Sequence, residues 1–142
     1  MDFSYQQVSD HGMSRCHNQV YYEERTYYGQ LQARACQYLA PLFIYGEALF
    51  YQTKMQGAHI YGRAVLRDNT QVDYLNIYAN QLYVHQSDIG QIELSSQQAL
   101  PIVYLNRAKI KGVLRFNGQS GIVFADRASE VSQVINGEVK YV

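Results

Sequence analysis

Apolar positions recur along this chain at a nearly constant interval. Taking Ile44 as origin, equivalent apolar anchors fall at Ile60, Ile77, Leu94 and Ile110, in steps of 16, 17, 17 and 16 residues (44 to 60, 60 to 77, 77 to 94, 94 to 110). Two residues before each anchor stand Leu42, Ala58, Leu75, Ile92 and Ala108; five before stand Leu39, Met55, Val72, Ile89 and Leu105. Two residues after the anchors stand Gly46, Gly62, Ala79, Ser96 and Gly112, all small. Five after stand Leu49, Val65, Leu82 and Ala99, and Arg115 ends that column. Positions separated by two share one face of a strand. The gaps of three on either side break the alternation, which turns the chain through a corner while the next apolar residue still points inward. Strand, corner, strand, corner at this period predicts an all-β, single-stranded β-solenoid with coils of 16–17 residues, stacked at about 4.8 Å. A small residue at each corner suits a crowded turn. A helix is disfavoured because Gly46, Gly57, Gly62, Gly90 and Gly112 interrupt every candidate stretch. A β-sandwich is the alternative, since short strands with turn signals also suit it.

The solenoid assigns the remaining positions to its outside. Tyr45, Tyr61 and Tyr78 each follow an anchor by one residue, so they should form an outward aromatic ladder and are the candidate binding face. Glu47 and Arg63 fall on adjacent coils as an exposed pair. His59, Asn76 and Glu93 precede their anchors by one and share an outer row, where a flat wall provides no catalytic cleft. Asp73 and Asp88 occupy different positions in the repeat, and His11 and His17 flank Cys16 without a standard metal spacing. No phosphate loop, nucleophile elbow or zinc signature occurs. The expectation is a non-catalytic protein with no cofactor and no metal.

The repeat divides the chain. Residues 27–142 read as the solenoid domain, and residues 1–26 as a polar N-terminal segment or cap. Beyond Ile110 the beat breaks, and Asn117-Gly118 and Asn136-Gly137 are turn signals. Irregular further coils, with a protruding loop at Asn117–Gly121, and a hairpin cap both fit.

Composition adds little to this and removes several classes. The 142 residues carry 14 tyrosines, no tryptophan and a net charge of zero, so no long-range field attracts nucleic acid. Arg107, Lys109, Lys111 and Arg115 alternate as the solvated face of a strand. No apolar run reaches the roughly 18 residues of a membrane span. The opening MDFSYQQVSD lacks the pattern of a secretory signal, and a cytoplasmic location is the expectation. There Cys16 and Cys36 would be two small semi-buried thiols, a disulfide between them being the alternative.

The stretches IYGEAL, IYGRAV and IKGVL, with the closing GIVFADRASEVSQVINGEV, resemble the bactofilin type of β-helix across roughly residues 27–142. That resemblance implies a right-handed β-helix without nucleotide cofactor that polymerises end to end into bacterial cytoskeletal filaments. Met55, Ala58 and Ala108 at inward positions, and walls rich in Tyr and Gln, depart from it. The expected function is a structural or scaffolding protein that self-associates, as an oligomer or polymer, or presents a flat wall to another protein. A monomeric binding module, such as an exported bacterial effector or accessory protein, is the alternative.

Overall fold

The computed structural model describes residues 7–96 and 99–142, and among them there are strands and turns but no helix. Three long strands, β1 (Gln7–His17), β3 (Glu24–Arg34) and β5 (Leu42–Tyr51), each bend around a corner without a break. Short strands β2 (Val20–Tyr21) and β4 (Gln37–Tyr38) complete the first turns. At β5 the ladder forks. One branch continues through β6 (Lys54–Tyr61), β8 (Gln71–Tyr78), β10 (Asp88–Ser96), β12 (Lys109–Gly118) and β14 (Glu130–Ile135). The other runs through β7 (Ala64–Arg67), β9 (Gln81–His85), β11 (Ile102–Asn106), β13 (Gly121–Ala125) and β15 (Gly137–Tyr141). Every pairing is parallel and joins adjacent turns. The fold is therefore a β-solenoid of about eight turns. A sandwich of antiparallel sheets is excluded. The C-terminal segment forms further coils rather than a hairpin, because β14 and β15 extend the two parallel ladders.

The core is a thin column of stacked rows. One row is Tyr27, Ile44, Ile60, Ile77, Leu94 and Phe116, with Leu42, Ala58, Leu75, Ile92 and Leu114 beside it. A second is Tyr38, Met55, Val72, Ile89 and Ile110. The third wall contributes Ala33, Phe50, Leu66, Val84, Leu105 and Ala125. Each fully buried Leu or Ile stabilises by roughly 1.5–3 kcal/mol, and only stacking with neighbouring turns supplies that burial. Phe116 is larger than Leu94 directly beneath it, and Gly121 and Gly137 make room for its ring.

Two devices build the corners. Gly29, Gly46 and Gly62 have φ of 127°, 143° and 144°, and a Cβ on Gly46 or Gly62 would lie 1.9 Å from the carbonyl oxygen of the glycine one turn below. Only glycine fits this seam. Where Ala79 replaces it the corner lengthens by a residue: Ala64 follows Ile60 by four, but its row-mate Leu82 follows Ile77 by five. At a second corner Ala35, Gln52, Asn69, Gln86 and Arg107 adopt positive φ, each followed by a small buried residue: Cys36, Thr53, Thr70, Ser87 and Ala108. The hydroxyls of Thr53, Thr70 and Ser87 each donate to a nearby corner carbonyl at 2.9 Å. These hydrogen bonds satisfy polar groups that would otherwise be buried unpaired.

Several expected register positions shift. Ile110 lies above Ile89, and Phe116 takes the place above Leu94, a step of 22 residues (94 to 116). The cause is a longer connection between Ser96 and Ile102 plus a bulge between Ile110 and Val113. Gly112, Ala108 and Leu105 consequently leave the columns expected for them. The row through Met55, Val72 and Ile89 begins with Tyr38, and Leu39 is only half-buried. Leu49 and Val65 point outward, half-buried, because the glycine corner brings Ala48 and Ala64 inward instead; Ala99 is exposed. Of residues 1–26, expected as a polar segment or cap, residues 7–23 form the first turn, paired in parallel to β3 and β4, and residues 24–26 begin β3; residues 1–6 lie outside the described part. Asn117–Gly121 is a short corner and not a protruding loop.

Candidate functional site

The expected tyrosine ladder exists and is longer than three rungs. Tyr28, Tyr45, Tyr61 and Tyr78 stack with ring centroids 5.2, 4.7 and 4.6 Å apart and planes within 9° of parallel. His11 extends it by one ring, 4.9 Å below Tyr28. These separations equal the strand spacing, so backbone register sets the stacking. Within the ladder each ring face is covered by the next ring. What solvent meets is a row of ring edges and hydroxyls. The neighbouring rings strip water from Tyr61, and its pKa rises above the ordinary value, further supported by repulsion from the Tyr78 and Tyr45 phenolates. The stack stops at Tyr78, because Ser95 and then Asn117 occupy the same row above it.

Beside the ladder runs a second outer row, Phe43, His59, Asn76, Glu93 and Arg115. Phe43 and His59 stack at 4.8 Å, and the Asn76 amide lies 3.4 Å from His59 Nδ1. Glu93 accepts a 2.9 Å hydrogen bond from the Tyr74 hydroxyl and lies 3.8 Å from Arg115. Burial, and then the bond and charge of Glu93, push the Tyr74 phenol up to about 12. These carboxylate contacts hold the wall together; they do not converge on a cleft. Glu47 and Arg63 line the same shallow groove of about 420 Å³, with Leu49, Tyr51, Val65 and Arg67, but make no ion pair. Among the described residues no group of three or more His, Cys, Asp and Glu side chains gathers where it would hold a metal ion. Lys109, Lys111 and Arg115 point to solvent as expected.

Sequence reasoning missed a second aromatic row, Tyr83, Tyr104 and Phe124, stacked at 4.7 and 5.8 Å on the β9, β11 and β13 wall. Its steps are 21 and 20 residues (83 to 104, 104 to 124), which a 17-residue template passes over.

The two ends differ in chemistry. In the first turns Arg25 occupies the inward position beneath Leu42. Its guanidinium lies 3.6 Å from Asp10, 3.2 Å from Glu23, and 4.0 Å above the Tyr21 ring. The buried Tyr27 and Tyr38 hydroxyls meet at 3.1 Å, and burial raises both phenol pKa values. Cys16 and Cys36 are joined as a disulfide, with Cα atoms 6.5 Å apart, so they are not the two free thiols expected. Their stacking on adjacent turns, one at a wall and one at the corner, brings them within bonding reach. At the other end Val131, Val134 and Val139 continue the rows of Ile110, Leu114 and Val123 but stay only partly buried. β14 and β15 are each hydrogen-bonded to a strand on one side.

None of the described residues forms a helix long and apolar enough to cross a membrane. Comparison of the chain with protein-family models, with curated proteins and with solved structures finds no match.

Proposed function

We propose that this protein is a non-catalytic scaffold that associates with a second copy through its C-terminal end and leaves its flat walls free for other partners. The observation that carries this reading is the contrast between the ends. Val131, Val134 and Val139 form a half-covered apolar floor beside two open strand edges. Apolar floor and unpaired edge together favour docking of another β-edge. The first turn instead carries the Asp10–Arg25–Glu23 cluster. Removing those charges from water against an apolar surface is costly. An association confined to one end closes as a pair, since identical patches meet across a two-fold axis. Sedimentation analysis tests it. The wild type should show a dimer that dissociates on dilution, and Val134→Lys should be monomeric with an unchanged far-UV spectrum. A wild type that stays monomeric into the high micromolar range overturns the reading.

The Cys16–Cys36 disulfide favours a second reading, an exported binding module, because such bonds persist in oxidising compartments. Alkylating the thiols in intact cells before lysis separates the two. Free Cys16 and Cys36 retire export and support the cytoplasmic scaffold.

A further inference from the structure

We infer that the point where the tyrosine ladder stops is a binding site for a neutral pyranose residue of a glycan. This inference is independent of the association proposed for the C-terminal end. Every ring below Tyr78 has its upper face covered by the next ring at 5.2 Å or less. Among the described residues no ring covers the upper face of Tyr78, since Ser95 stands in the next position and Asn117 in the one after. Tyr78 is 44% exposed. Above it opens a hollow of about 490 Å³ bounded by Tyr78, Asn80, Ser95, Ser96 and Asn117.

The slot has the thickness of one ring. Tyr78 and Asn117 belong to turns two apart, about 9–10 Å at the ordinary strand spacing, and in their row the layer between them carries only the small side chain of Ser95. A flat ring there would continue the ladder, stacking on Tyr78 as Tyr78 stacks on Tyr61. The chemistry of the rim selects the ring. Among the described residues no charged side chain lines the hollow; its polar side chains are two amides, two serine hydroxyls and the Tyr78 phenol. The buried Ser96 hydroxyl is already spent, 2.7 Å from Asn80 Oδ1 and 3.1 Å from the Ala99 carbonyl. That bond fixes the Asn80 amide with its Nδ2 donors directed away from Ser96. Asn80, Ser95 and Asn117 then offer donors and acceptors around the edge of the slot. A pyranose with equatorial substituents matches both features. Its axial C–H bonds form a flat, weakly positive face for the negative face of a phenol ring, and its hydroxyls lie in the ring plane, toward the rim. A purely apolar ring would leave the amides unpaired, and a charged ring would find no countercharge among the described lining residues.

The test uses cellohexaose and chitohexaose, β-linked chains of equatorially substituted pyranoses, as probes in saturation-transfer NMR and calorimetric titration. The wild type should bind at least one of them. Ser95→Tyr fills the slot with a fifth tyrosine in the register of the ladder, so the fold should be kept and binding should fall at least tenfold. Tyr78→Ala should show a comparable loss. Wild-type protein that binds neither probe overturns the inference, as does Ser95→Tyr protein that binds as well as the wild type.

Discussion

Single residues settle the corners of this protein, and Asp126 shows how. Its carboxylate accepts a 2.5 Å hydrogen bond from the Ser129 hydroxyl and a 3.0 Å bond from the backbone N–H of Arg107, a residue held at positive φ. Ser129 in turn accepts from the N–H of Ala108. Chiefly the Ser129 bond, then the Arg107 bond, hold the Asp126 pKa below its ordinary value of 3.8. A depressed carboxylate contributes stability that is complete above the unfolded-state pKa and is lost as pH falls through the folded-state value. Asp126→Asn should therefore lower the urea midpoint near neutral pH. The difference from wild type should shrink toward zero in acid, below the ordinary carboxylate value. A difference that is constant with pH would show that the charge of Asp126 has no part in holding the corner.

Elements here are short strands whose lengths are set by the corners between them, so corner residues decide register. Gly46 is the sharpest case, at φ 143° with the Gly29 carbonyl oxygen 1.9 Å from where a Cβ would sit. Gly46→Ala should destabilise by about 3 kcal/mol or more in chemical denaturation, since strain and overlap add. Gly57, whose Cβ would meet nothing within 4 Å, should tolerate alanine to within about 0.5 kcal/mol. Equal costs at the two sites would remove the glycine seam as a determinant of the fold. The same corners explain what the sequence disclosed. From Ile44 to Leu94 the corners keep nearly constant length, so a fixed period finds the inner row and places Tyr45, Tyr61 and Tyr78 on the outer wall. Five residues inserted across two sites in the next turn cancel that periodicity, and the period alone then assigns Ile110 to the wrong row. The Tyr83–Tyr104–Phe124 row is hidden by the same insertion. Cys36, Thr53, Thr70 and Ser87 do keep a 17-residue step (36 to 53, 53 to 70, 70 to 87). They escape a hydrophobic pattern because three of them are hydroxyl residues that are buried with their hydrogen bonds satisfied. Arg25 escapes it for a related reason: a charge reads as surface, yet its partners Asp10 and Glu23 let it lie inward.

At the scale of the whole molecule, stability is a sum over adjacent turns, because no turn touches any but its neighbours in the ladder. Association at one end therefore adds a single further interface. If that interface forms through Val131, Val134 and Val139, the melting temperature of the wild type should rise with protein concentration, and that of Val134→Lys should not. A melting temperature independent of concentration in both proteins would count against the scaffold reading. The ladder also gives loss of structure a direction. The first two turns are clamped by the Cys16–Cys36 bond and the charges around Arg25, whereas β15 has no such fastening among the described residues. Fraying should therefore begin at β15 and travel backward coil by coil, so whatever seizes that strand edge would also determine how long the rest of the spiral stays wound.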